Sequence, residues 1–239
     1  MYKKFALILA FVFTASLLFA ADKPSKFKVL VNGNQIGTEE YTISRDARGY
    51  KLKSKASSRR DDGVGTIVEQ EQVLEPDLTL KRYTLRAVNP DGIQTIEAAR
   101  EKDKIRMSVR LPDREPKSFS VPVAARVFVL DNMVVSHFQV LLDSFGGNPP
   151  ASGYGFLVPQ QLTLLPGGVT LLPREEKGTL DGQIISVRKY SINAGGLVME
   201  CWAESAGSKL MRVWVPTQKV EFIREGYTVG GGSSSAGTK

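Results

Sequence analysis

From residue 26 onward, apolar and polar positions alternate in short runs broken by turn residues, which is the two-residue period of half-buried antiparallel strands. Phe27, Val29 and Val31 alternate with Lys26, Lys28 and Leu30, and Asn32-Gly33-Asn34 ends the run with hairpin chemistry. A second strand is predicted over Gln35–Ser44. The third is the cleanest, with Tyr50, Leu52, Ser54 and Ala56 on one face and Lys51, Lys53 and Lys55 on the other. Val64–Leu74 and Leu78–Asn89 continue the series to the Pro90-Asp91-Gly92 turn, where Pro presets φ and Gly accepts a positive one. Ile93–Ala99 and Lys104–Arg110 follow. Strict alternation means one buried and one wet face, so the sheet curves over a core.

The period then changes. After a short apolar strand, Val127–Leu130, the segment Met133–Phe145 (MVVSHFQVLLDSF) places Val134, Phe138, Leu141, Leu142 and Phe145 at helical spacing. One helix of about three turns is predicted, capped by Asp131-Asn132 and stopped by the Gly/Pro run that begins at Gly146. Strands resume at Tyr154–Pro159, then Gln161–Leu165 and Val169–Leu172 around a Pro166-Gly167-Gly168 turn. Thr179–Ile192 with a turn at Asp181-Gly182, Leu197–Ala203, Leu210–Val215 and Lys219–Arg224 complete the set. The expected fold class is all-β: a curved antiparallel sheet, or an open or closed β-barrel of about a dozen strands, with one helix. A single domain over residues 22–229 is expected, the alternative being two lobes divided near residues 146–153.

Both ends of the chain read differently. In residues 1–21, Lys3 and Lys4 precede an apolar run from Phe5 to Phe19 closed by Ala20 and Ala21, the layout of a signal peptide. The run is about 15 residues, short of the roughly 20 that a spanning helix needs, and no later run approaches it. A periodic pattern is absent from residues 230–239 (GGGSSSAGTK), which are expected to be disordered. The expected location is periplasmic or secreted, with no transmembrane span after signal cleavage.

Composition narrows the chemistry. The 239 residues contain one Cys and one His, which leaves no internal disulfide, Cys-based zinc site, Fe–S cluster or multi-histidine metal site. No metal and no cofactor is therefore expected. Net charge is +7, and without the leader 30 basic side chains face 25 acidic ones. For an exported chain that modest excess points to solubility or an anionic surface, and nucleic acid is not expected as a partner. The Lys/Arg stripes at 51–60 and 100–110 suggest one basic outer face.

Catalytic groups are sparse. His137 could act as a general base with Ser136 as nucleophile and Asp131 or Asp143 as orienting acid, but neighbours on a helix point about 100° apart. Cys201 falls in phase with Leu197, Met199 and Ala203, the pattern of a buried, inert thiol. Glu39/Glu40, Asp61/Asp62 and Glu175/Glu176 are adjacent pairs, whose members point to opposite faces on a strand. No strand–helix junction carries a phosphate-binding loop. No catalytic residue is assigned, and a non-enzymatic protein is expected.

The stretch Phe156–Pro173 (FLVPQQLTLLPGGVTLLP) is nearly free of charge. A hairpin apolar on both faces is either covered or lines a cavity. With the helix stripe it supplies the candidate ligand-binding residues Phe138, Leu141, Leu142, Leu164 and Leu171.

Four segments, "VNGNQIGTEEYTI", "GYKLKSKAS", "LDNMVVSHFQVLL" and "FLVPQ", resemble secreted bacterial β-protein families of unknown function. Those families are similar in turn to the lipoprotein-carrier (LolA/LolB-like) half-barrels. The resemblance implies an antiparallel half-barrel whose concave apolar face takes acyl chains, and it transfers no catalytic residue. The expected partner is a lipid or other apolar ligand bound within the curved sheet. The alternative is an envelope protein met through the basic sheet face.

Overall fold

The computed structural model describes residues 23–230 apart from 48, 60–62, 124–125, 147 and 150–152. The proposed signal peptide, residues 1–21, lies outside the described residues, as does the tail after Gly230. An eight-strand meander comes first: β1 (Ser25–Val31), β2 (Asn34–Asp46), β3 (Gly49–Arg59), β4 (Gly65–Leu74), β5 (Leu80–Asn89), β6 (Gly92–Glu101), β7 (Lys104–Arg110) and β8 (Lys117–Pro122). β9 (Arg126–Val129) and helix α1 (Ser136–Phe145) follow. The return half contains β10 (Tyr154–Val158), β11 (Thr163–Leu180), β12 (Gln183–Ala194) and β13 (Leu197–Glu204). It ends with β14 (Leu210–Val215), β15 (Val220–Arg224) and β16 (Tyr227–Val229).

All sixteen strands join one sheet. β15 returns beside β1, with Phe27 opposite Arg224 and Val31 opposite Val220, so the two halves fuse at the chain ends. The order runs from β8 back to β1, then from β15 back to β9, and β16 pairs with β11. The outermost strands, β8 and β9, are consecutive in the chain, yet among the described residues no backbone ladder joins them. The result is a large curved sheet, barrel-like but unclosed by hydrogen bonds. β9 and β10 pair in parallel because α1 forms a crossover between them; the other pairs are antiparallel.

Two local expectations need correction, and one strand falls outside the expected set. The Pro166-Gly167-Gly168 turn is absent, and β11 runs straight through it, pairing with β10 on one side and β12 on the other. Gly167 is there for close approach. A Cβ on it would lie 2.0 Å from the Asn193 carbonyl oxygen and 2.6 Å from the Phe156 ring. The strand β8 shows no apolar phase because its side chains are almost all exposed, so alternation had nothing to record. Finally, α1 starts at Ser136 rather than after Asp131-Asn132, and its N-cap, Val135, offers no side-chain acceptor.

The main core fills the inside of the curve. Phe27, Leu52, Tyr83, Ile96, Ile105 and Met107 come from the first half, and Phe156, Tyr190, Ile192, Cys201 and Val213 from the second, all almost inaccessible. Helix α1 lies between these walls, and Gly146 ends it in the left-handed conformation. A second, smaller core of Val187, Trp202, Met211 and Tyr227 forms on the outer side, where β16 pairs with the far end of β11.

Candidate functional site

The helix meets the first half of the sheet through a buried polar layer. Glu39, Ser54, Gln70 and Gln72 point inward from β2, β3 and β4, in phase with apolar neighbours such as Tyr41, Leu52, Val68 and Leu74. The Glu39 carboxylate accepts the Val135 backbone N–H and, at 3.1 Å, the Ser136 N–H. It therefore supplies from a distant strand the cap that Asp131 and Asn132 do not. Free backbone N–H groups and the positive end of the helix dipole both favour a carboxylate there. Burial still raises the Glu39 pKa despite those donors.

Successive helix residues are held by alternate residues of one strand. Gln70 Nε2 donates to Ser136 Oγ at 3.1 Å, and Gln72 Nε2 pairs with His137 Nδ1. This splits Ser136 from His137 as the helical geometry requires. Burial pushes the His137 pKa down to about 3, and its Nε2 has no protein partner. No carboxylate bonds to this ring among the described residues. One turn on, Gln139 links both walls: Tyr41 donates its hydroxyl to Oε1 at 3.3 Å, and Leu210 donates its backbone N–H at 2.8 Å.

Asp131 serves the sheet. It accepts the Tyr83 hydroxyl from β5 and, at 3.1 Å, the Gln160 backbone N–H. This clasp ties the chain just beyond β9 to the first wall, where the backbone ladder is missing. Burial raises the Asp131 pKa to about 6, against the pull of those two donors. Asp143 is likewise occupied: the Tyr50 hydroxyl and Arg45 Nη2, at 2.7 Å, both donate to it.

The candidate apolar ligand residues are packed into or against the core. Phe138, Leu141 and Leu142 are buried, and Phe145 beside them meets the Tyr190 ring at 5.6 Å. Leu164 and Leu171 sit half-buried along the single strand β11, opposite Leu157 and Tyr190. None of the five lines the outer groove of β2–β6 or the pocket beside the second half of α1. Cys201 lies on the inner face, and burial pushes its thiol pKa up.

A cavity of about 930 Å³ forms an open groove on the outer face of β2–β6. Its floor is charged but mixed in sign, which corrects the expectation of a basic face. Lys51 and Lys53 both pair with Glu71, at 3.1 and 3.7 Å, and Lys55 pairs with Glu69 at 3.1 Å. Arg82 and Arg86 on β5 bond the same two glutamates from the other side. Lysines on β3 and arginines on β5 thus flank acids on β4, a cross-strand arrangement that the lysine stripe alone concealed. Neighbouring carbonyl and hydroxyl groups add further polar edges, including Thr42 and Thr84.

Among the described residues, no helix is long and apolar enough to cross a membrane, and no group of three His, Cys, Asp or Glu could hold a metal ion. No protein-family model matches the chain, and no curated protein matches it. Among solved structures it is similar to a DUF1089 family protein from Pseudomonas aeruginosa, at 8% identity and a TM-score of 0.38, over 76% of this chain and 85% of that one. It is also similar to a β-barrel-like protein of the domain of unknown function DUF1849 from Brucella abortus. That match has 9% identity and a TM-score of 0.54, and covers 89% of this chain and all of the other. At that identity the likeness to the Brucella protein is one of fold: this chain is a β-barrel-like domain.

Proposed function

We propose that the chain is a non-enzymatic interaction module of the bacterial cell envelope, which meets a protein partner through the outer groove of β2–β6. The observation that carries this reading is the contrast between an open groove of about 930 Å³ and an interior occupied by α1 and its bonded neighbours. The occupant that suits the groove is a polypeptide segment of mixed charge. Alternating lysine, glutamate and arginine rows reward a partner with complementary alternation. A uniformly anionic membrane or nucleic acid gains little from a surface whose cations are already paired. The envelope location rests on the leader-like residues 1–21. The non-enzymatic reading is supported by a histidine held neutral and bonded to an amide.

An acyl-chain carrier, as the resemblance to the lipoprotein-carrier half-barrels implies, would need α1 to leave the sheet. That would expose Phe138, Leu141 and Leu142, at about 1.5–3 kcal/mol for each side chain, and break the Glu39 and Gln72 bonds. The test is photocrosslinking in intact envelopes, with the crosslinker placed at Thr42 or Thr84 in the groove and at Ile184 on the opposite outer wall. Adducts to one protein from the groove positions alone are expected. Adducts from Ile184 alone would sink the assignment of the groove. Stoichiometric lipid extracted from the purified protein would overturn the choice of a protein partner over an apolar ligand.

A further inference from the structure

A separate pocket of about 360 Å³ lies beside the second half of α1, between the start of β1, β2 and the turn leading into β14. Its one carboxylate, Asp143, is neutralised by Arg45 and also takes hydrogen bonds from Tyr50, Gln139 and Ser208. Three further cations line the same space: Lys23, Lys209 and Arg224. Among the described residues none of the three has a carboxylate within ion-pair distance.

Arg224 is the unusual one. It is only 9% exposed, its guanidinium lies 5.6 Å from the Phe27 ring centre, and its shown acceptors are neutral. Nη1 donates to the Leu210 carbonyl at 3.1 Å and Nη2 to Ser25 Oγ at 2.8 Å. Buried charges are ordinarily paired, because desolvation is otherwise uncompensated. Here the guanidinium is fixed in orientation by neutral groups and faces a pocket with two lysines and no free acid. A planar fork held this way matches the oxygens of a carboxylate or phosphate.

We propose that this pocket binds a small oxyanion, a carboxylate or a phosphate, with Arg224 as anchor and Lys23 and Lys209 at the rim. The volume suits a small molecule rather than a polymer. The site is independent of the outer groove and stands or falls separately from it.

Calorimetric titration of the purified chain at low ionic strength tests the proposal, with inorganic phosphate, succinate and sodium chloride as probes. Saturable one-site binding of phosphate or succinate is expected, and whichever binds names the oxyanion. The Lys23→Glu/Lys209→Glu variant should bind at least about tenfold more weakly while melting at the wild-type temperature without ligand. Arg224→Lys keeps the charge and loses the fork, so it should also weaken binding while remaining folded. Absence of saturable heat with both oxyanions would overturn the proposal. So would heat that sodium chloride reproduces, or undiminished binding by the two-lysine variant.

Discussion

The two inner walls of the sheet hold the same helix by different physics. The wall made by β2–β5 presents Glu39, Tyr41, Gln70, Gln72 and Tyr83, and it grips Val135, Ser136, His137 and Gln139, with Asp131 just before the helix, through directed bonds. The wall made by β10–β14 presents Phe156, Val169, Tyr190, Ile192 and Cys201, which share the main core with Phe138, Leu141 and Leu142, and it adds the Leu210 N–H bond to Gln139. Apolar burial is non-directional, and alone it would let the helix slide or rotate. Bonded polar groups, costly to leave unpaired, admit one register. The difference assigns stability mainly to the second wall and placement mainly to the first.

Acid titration is the largest lever on that contrast, because buried His137 and Asp131 work in opposite senses. His137 is depressed to about 3, so as pH falls below its ordinary value near 6.5 the unfolded chain takes up a proton that the fold refuses. Stability is lost on acidification through that window, by about 5 kcal/mol in all. Asp131 is raised to about 6, so between that value and 3.8 the folded state holds the proton and stability is gained on acidification. That gain is about 3 kcal/mol, and raised Glu39 acts in the same direction. Chemical denaturation between pH 6 and pH 4 should therefore be nearly flat for the wild type, fall for Asp131→Asn and rise for His137→Gln. Parallel curves for all three would refute the opposed titrations.

Cavity formation ranks next. Leu141→Ala should lower unfolding free energy by about 3–4 kcal/mol, read from the denaturation midpoint at constant slope. Glu39→Gln, on the polar wall, retains one acceptor and should cost about 1–3 kcal/mol. It should also speed amide exchange at Val135 and Ser136 well before the rest of α1. If Glu39→Gln proves costlier than Leu141→Ala, the division of labour between the walls is reversed. The smallest effect belongs to the outer face. Lys53 is mostly exposed and its ion pair shared, so Lys53→Ala should change stability by no more than about 0.5 kcal/mol, a shift that thermal melting can bound.

Part of the polar wall was legible in the alternation. Glu39 is in phase with Tyr41 and Ile43, Ser54 with Leu52 and Ala56, and Gln70 and Gln72 with Val68 and Leu74. A polar residue in the apolar phase is a mark of an internal bond. The Glu39/Glu40 pair splits accordingly, one buried and one exposed. What no local pattern could supply was the partner, since Glu39 and Val135 are 96 positions apart. The same holds for β11: Pro-Gly-Gly has turn chemistry, but the segment is extended and paired with β10 and β12, with Phe156 and Asn193 close against Gly167.

The sequence by itself determined the all-β class, most strand positions, helix α1 and its apolar stripe, and the inward phase of Cys201. Those properties follow from side-chain period, which is local. The tertiary structure decided how the two halves meet at β1 and β15, which carboxylate caps α1, and how the lysine stripe is neutralised. It also decided where cavities remain. These depend on which distant residues become neighbours once the sheet curves, and a one-dimensional pattern carries no record of curvature.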